Sequence, residues 1–143
     1  DPYCPSLRQD LLAAAGELDF ELHAKGCYVC TEGPRYETPA EIRAYRTLGG
    51  DLVGMTSVPE VVLAREAEIC YAGVALVTNW AAGLAGKPLT HHEVLELMDA
   101  NLERLRQLLA KVIDRLDENR PCACQTAVKG QAPLTGKEGK REG

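Results

Sequence analysis

GPRYETPAE (33–41), DLVGMTSVPEVVLAREA (51–67) and VTNWAAG (77–83) are the passages on which the fold turns. All three lie within Gly33–Gly83, and each carries polar residues where a strand is expected to end: Tyr36 and Glu37, Met55 and Thr56, Thr78 and Asn79. In a parallel sheet such junctions face one common edge, where ligands bind. Thr38 with Glu41, Ser57 with Glu60 and Thr90 with Glu93 match the S/T-x-x-E capping box that opens a helix. Pro39 suits the first helical position.

Working outward, the spacing predicts helices over 6–18, 38–48, 58–68 and 91–117. Leu7, Leu11, Leu12 and Ala15 supply the apolar face of the first. Strands are expected over 20–23, 26–30, 51–55 and 73–78. The last, GVALVT, is nearly continuous in apolar character, as an interior parallel strand would be. Strands alternating with helices predict an α/β layered fold. The final helix carries Leu95, Met98, Leu102, Leu105, Leu109, Val112 and Leu116 at three- and four-residue steps. Over so few heptads, that stripe predicts a helix packed across the sheet rather than a zipper. Apolar periodicity ends at Glu118, so a domain over 1–117 and a disordered tail over 118–143 are expected.

With 143 residues, 45% apolar and 26% charged, the chain has the composition of a globular domain. Its net charge of −5 gives no reason to expect nucleic acid or an anionic membrane surface as a partner. No apolar run approaches the roughly 20 residues that span a bilayer. The opening DPYCPSLRQD has no Met before it and no signal peptide, and it reads as the start of a cut or truncated protein. Six cysteines without an export signal predict the cytoplasm. Cys27 and Cys30 fall in an alternating strand and would point to opposite faces. Cys122-Ala-Cys124 sits in the expected tail, and no metal site is predicted.

Glu37 can accept hydrogen bonds from sugar hydroxyls or base nitrogens, or it can simply complement the next helix's positive end. Thr56 and Ser57 stand at a helix N-terminus, where backbone N–H groups favour an anion. With Ser57 expected to cap the helix, Thr56 is the hydroxyl left for a ligand. Asn79 offers an acceptor and two donors, for a ligand or for its own loop. His91 and His92 open the last helix.

Together, GPRYETPAEIRAYRTLGGDLVGMTSVPEVVLARE, VTNWAAG and the opening DPYCPSLRQDLL resemble the C-terminal half of the trimeric purine nucleoside phosphorylase and methylthioadenosine phosphorylase family, from Asp1 to about Leu116. The resemblance implies part of a three-layer α/β phosphorylase fold, with a mixed central sheet flanked by helices and its N-terminal strands missing. It implies a pentosyltransferase that cleaves the N-glycosidic bond of purine nucleosides with inorganic phosphate as co-substrate, with no metal or organic cofactor. The expected state is a homo-oligomer, a trimer or hexamer. Carried over, Tyr36 stacks on the purine, Glu37 holds N1–H of a 6-oxopurine, and Met55 lies beneath the ribose. Thr56 contacts phosphate, Asn79 stabilises the departing base near N7, and His91 (or His92, one residue on) meets the 5′ group. Asn79 and Ala81, where 6-aminopurine members usually carry Asp, favour inosine and guanosine. Methylthioadenosine and methylthioinosine are the alternative substrates. The family's phosphate loop has no counterpart here, so the chain alone is expected to be inactive. A non-catalytic purine-binding or oligomerisation module is the rival reading from another class, and a zinc module a third.

Overall fold

The computed structural model describes residues 1–85 and 91–130. Helix α1 spans Pro5–Glu17, strand β1 Tyr28–Cys30, helix α2 Pro39–Thr47, strand β2 Leu52–Gly54, helix α3 Ser57–Glu66 and helix α4 His91–Ile113; a one-turn 3-10 helix follows at Cys124–Thr126. The strands β1 and β2 run parallel with Tyr28 opposite Leu52 and Cys30 opposite Gly54, and α2 is the crossover between them. This is an α/β fold, and its sheet has two strands among the described residues. None of the described helices is long and apolar enough to cross a membrane.

Each helix starts for a local reason. Cys4 caps α1, its sulfur accepting from the Leu7 N–H, and Pro5 occupies the first turn. The helix closes at Asp19, which adopts a left-handed φ of 53°, and the Phe20 N–H returns to the Ala15 carbonyl at 2.9 Å. That closure removes the strand expected over 20–23. Thr38 and Glu41 form the full capping box of α2, each side chain accepting from the other's backbone N–H. The Thr90–Glu93 box involves residues outside those described.

The core lies between α1 and α4. Leu11, Ala14 and Ala15 bury against Leu108 and Val112, with Phe20, Leu22, Ala72 and Val74 packed around them. The last helix therefore packs on α1, not across the sheet, and its buried face includes Leu108, outside the expected stripe. Arg104 lies 4.6 Å above the Phe20 ring, and Glu17 binds both Lys111, at 2.8 Å, and Arg115. Lys111 first, then Arg115, holds the Glu17 carboxyl below the usual carboxylate range. Toward its N-terminus α4 leaves Leu95, Met98 and Leu102 exposed.

Two further expectations are corrected. Residues 73–78 form no ladder among the described residues; Val74 packs on the helical core, but Leu76 and Val77 are 40% and 59% exposed. An apolar run becomes an interior strand only where neighbours supply hydrogen bonds on both edges, and no described strand does so. Residues 118–130 are not a loose tail. Arg120 binds Asp10 at 2.8 Å, the Val128 N–H reaches Glu68 at 3.3 Å, and Cys124 is buried. Specific polar anchors hold this stretch where apolar periodicity is lacking. Residues 131–143, the rest of the expected tail, lie outside the described residues.

Candidate active site

At the C-terminal ends of β1 and β2 the Thr31 N–H extends the ladder to the Gly54 carbonyl at 2.8 Å. The Thr31 hydroxyl donates to Glu37 Oε1 at 2.7 Å. That bond holds the half-buried Glu37 carboxylate beside the strand ends, with its second oxygen free of this contact. The turn between them approaches Met55 closely. Gly33 has a φ of +67°, and a Cβ there would come within 2.6 Å of the Met55 sulfur. Only glycine meets both demands, so Met55 lies against the turn that leads to Glu37.

Arg35 fastens the same loop to α2. Its guanidinium grips Glu41 at 2.7 and 2.9 Å and donates to the Tyr36 carbonyl at 3.1 Å. Arg35, with the Thr38 backbone and hydroxyl, lowers the Glu41 carboxyl to about 2. With its backbone so tied, Tyr36 is 56% exposed as a residue. An exposed aromatic side chain is suited to stacking on a flat ligand.

Helix α3 starts otherwise than its sequence suggests. Thr56, not Ser57, takes the N-cap position, and its side chain makes no capping hydrogen bond. The Ser57 hydroxyl instead pairs with that of Tyr3 at 2.8 Å, and Glu60 accepts from Tyr71 at 2.5 Å. Burial, reinforced by Glu60, pushes the Tyr71 hydroxyl up to about 12. The predicted Ser57–Glu60 box is thus replaced by two tyrosine contacts. This end of α3, with its exposed Thr56 hydroxyl, is open to an anion.

Asn79 stands apart from Glu37 and Met55 in its contacts. Its Oδ1 accepts from the Thr78 hydroxyl at 2.7 Å and its Nδ2 donates to the Trp80 carbonyl at 3.0 Å. These bonds orient the amide and leave one N–H available. The chain after it returns to α2: Gly83, at φ +80°, is so close to Pro39 that a Cβ would lie 2.7 Å away. Four residues beyond Asn79 the chain thus packs against the first residue of α2. The His91 side chain lies outside the described residues; His92 is exposed and pairs with Glu96 at 3.2 Å.

Sequence reasoning missed Thr31, Arg35 and Tyr3. A hydroxyl at the last position before a Glu-Gly-Pro turn was the available signal for Thr31. Nothing local marks Tyr3, which acts across 54 residues of chain.

The edge so assembled offers a carboxylate, a thioether, an aromatic ring and an uncapped helix end, and Asn79 holds an oriented amide on a separate segment. A family model described as the phosphorylase superfamily matches residues 1–114. The chain is 56% identical over 130 residues to the 6-oxopurine nucleoside phosphorylase of Pyrococcus furiosus, covering 91% of this chain and 49% of that protein. It is 52% identical to a probable S-methyl-5'-thioinosine phosphorylase of Methanopyrus kandleri, over 91% of this chain and 51% of that one. Among solved structures, a methylthioadenosine phosphorylase from an antarctic soil metagenomic library superposes with a TM-score of 0.80 at 33% identity, covering 89% of this chain and 46% of the other. The chain spans about half the length of the curated relatives it matches. The family model over residues 1–114 and the superposed structure show that this chain belongs to the phosphorylase superfamily.

Proposed function

We propose that this chain carries the purine-and-ribose half of a 6-oxopurine nucleoside phosphorylase site. The reaction is phosphorolysis of the N-glycosidic bond of inosine or guanosine, yielding the free base and ribose 1-phosphate. The observation that carries this reading is Glu37, an acceptor held by Thr31 at 2.7 Å beside the exposed Tyr36. A carboxylate accepts from N1–H, which a 6-oxopurine has and a 6-aminopurine lacks. Asn79, its Oδ1 occupied by Thr78, has an N–H left to give to the base. That donor gains strength as the purine departs with negative charge. Met55 forms the floor beneath the ribose, and His91 meets the 5′-hydroxyl. A methylthioinosine substrate shares the 6-oxo base and is supported by the Methanopyrus kandleri relative's name.

Phosphate binds at the open end of α3 through Thr56. No metal or organic cofactor enters the reaction. Loss of one well-placed oxyanion donor lowers a rate by about 100- to 1,000-fold, and Thr56 with a helix end is a sparse phosphate site. The 143-residue chain alone therefore binds the base without measurable turnover, as a fragment of a longer catalytic unit. Six free thiols support a reducing, cytoplasmic setting. Exposed Leu76, Val77, Leu95 and Met98 support assembly as a homo-oligomer, in keeping with the trimer or hexamer that the resemblance implies.

Titration of the chain with hypoxanthine, with and without phosphate, tests the site. Binding that phosphate strengthens is expected. No binding in either arm would remove the base site, and phosphate-dependent release of hypoxanthine from inosine would overturn the claim of inactivity.

A further inference from the structure

The Thr31 hydroxyl stands between a carboxylate and a carbonyl. Glu37 Oε1 is 2.7 Å away and the Gly54 carbonyl 3.5 Å away. That carbonyl already accepts the Thr31 backbone N–H at 2.8 Å. A hydroxyl has one hydrogen to give, and here the nearer acceptor, Glu37, takes it. Among the described residues no other hydrogen bond reaches the Glu37 side chain. Thr38, its neighbour in sequence, gives its hydroxyl to Glu41 at 2.9 Å, and Arg35 grips Glu41 as well. Thr31 and Glu37 are both half-buried.

We propose that Thr31 is the positioning residue that fixes base selectivity, acting through Glu37; this rests on the base-binding role given to Glu37 above. A carboxylate turns easily about its last torsion, whose energy well is broad. The bond from Thr31 occupies Oε1 and stops that turn, leaving Oε2 as the oxygen that meets the base. Thr31 is itself stiff. Its Cβ is branched, and its backbone is bonded to Gly54, the last residue of β2. The sheet, and not the turn at Gly33 alone, thus sets the aim of the carboxylate. An aimed acceptor serves a 6-oxopurine, which brings N1–H, and gives nothing to the bare N1 of a 6-aminopurine. Stacking on Tyr36 is open to both bases alike. Loss of the Thr31 hydroxyl therefore falls on 6-oxopurines and spares 6-aminopurines, whereas a threonine that served the fold alone would affect both equally.

The test titrates hypoxanthine and adenine calorimetrically into the 143-residue chain and into its Thr31→Val and Thr31→Ser variants, each checked for folding by its urea midpoint. The unaltered chain should prefer hypoxanthine. Thr31→Val exchanges the hydroxyl for a methyl. It should weaken hypoxanthine about tenfold, the lower worth of a hydrogen bond to a charged group, and leave adenine within about twofold. Thr31→Ser should restore the preference to within about threefold of the unaltered chain. Should Thr31→Val not fold, Thr31→Ala takes its place. A folded variant that lacks the hydroxyl and keeps the original ratio of hypoxanthine to adenine affinity overturns the role of Thr31 and leaves Glu37 as the base reader. So does a serine variant that rescues nothing. An unaltered chain that binds no hypoxanthine, or binds both bases equally, removes the Glu37 reading itself and the role of Thr31 with it.

Discussion

Helices α2 and α3 begin with nearly the same letters and end up with different chemistry. At α2, Thr38, Pro39 and Glu41 close a full capping box, with Arg35 locked onto Glu41. At α3, Thr56, Ser57 and Glu60 close nothing on one another, because Tyr3 takes Ser57 and Tyr71 takes Glu60. The first start is satisfied from within and acts as a fixed post for the Tyr36–Glu37 loop. The second has an N-cap residue, Thr56, whose side chain makes no capping hydrogen bond. A capping motif thus marks a helix start, but its neighbours decide whether that start is structural or receptive.

Breaking the post at its working residue should have the largest effect. Glu37→Ala is expected to weaken hypoxanthine binding by about 100-fold, the upper worth of hydrogen bonds to a charged group; calorimetric titration reads this directly. Thr56→Val comes next. It should abolish the phosphate-linked gain in affinity, about tenfold, and leave the urea midpoint unchanged, because the hydroxyl caps nothing. Thr38→Ala inverts that pattern, lowering stability by about 1 kcal/mol as a lost N-cap does, with little change in phosphate linkage.

The smallest effect concerns pH. Glu41 has its folded-state value lowered from 4.5 to about 2, chiefly by Arg35. A depressed carboxylate contributes stability that is present above its unfolded value and is lost as pH falls through its folded value. The α2 cap should therefore persist at pH 4.5 and fray toward pH 2, followed through the Glu41 amide resonance. Arg35→Gln should move that midpoint upward. An unmoved midpoint would mean that Thr38 alone holds the carboxylate.

Much of this was legible because it is local. Helix α2 starts where Thr38 and Pro39 stand, and the four helical stretches follow from spacing within each segment. The Gly33 turn, Glu37 and Met55 could be named from the chain because a strand end, a tight turn and a helix start follow one another there. The strand expected at 73–78 was not legible, since apolar character states a wish to be covered but not which edges are present. The partner of α4 was also hidden, because its stripe suits a helix as well as a sheet. Residues 118–130 look like a tail in composition, and only their contacts with Asp10, Glu68 and Cys70 make them structure.

The sequence by itself determined the α/β class, the family and the capped start of α2, since short-range steric and hydrogen-bonding rules act within a few residues. Tertiary structure alone decided that Thr31 aims Glu37, that Tyr3 and Tyr71 strip α3 of its cap, and that Cys4, Cys70, Cys122 and Cys124 converge. Each of those depends on which distant segment arrives, and that is set by packing of the whole chain.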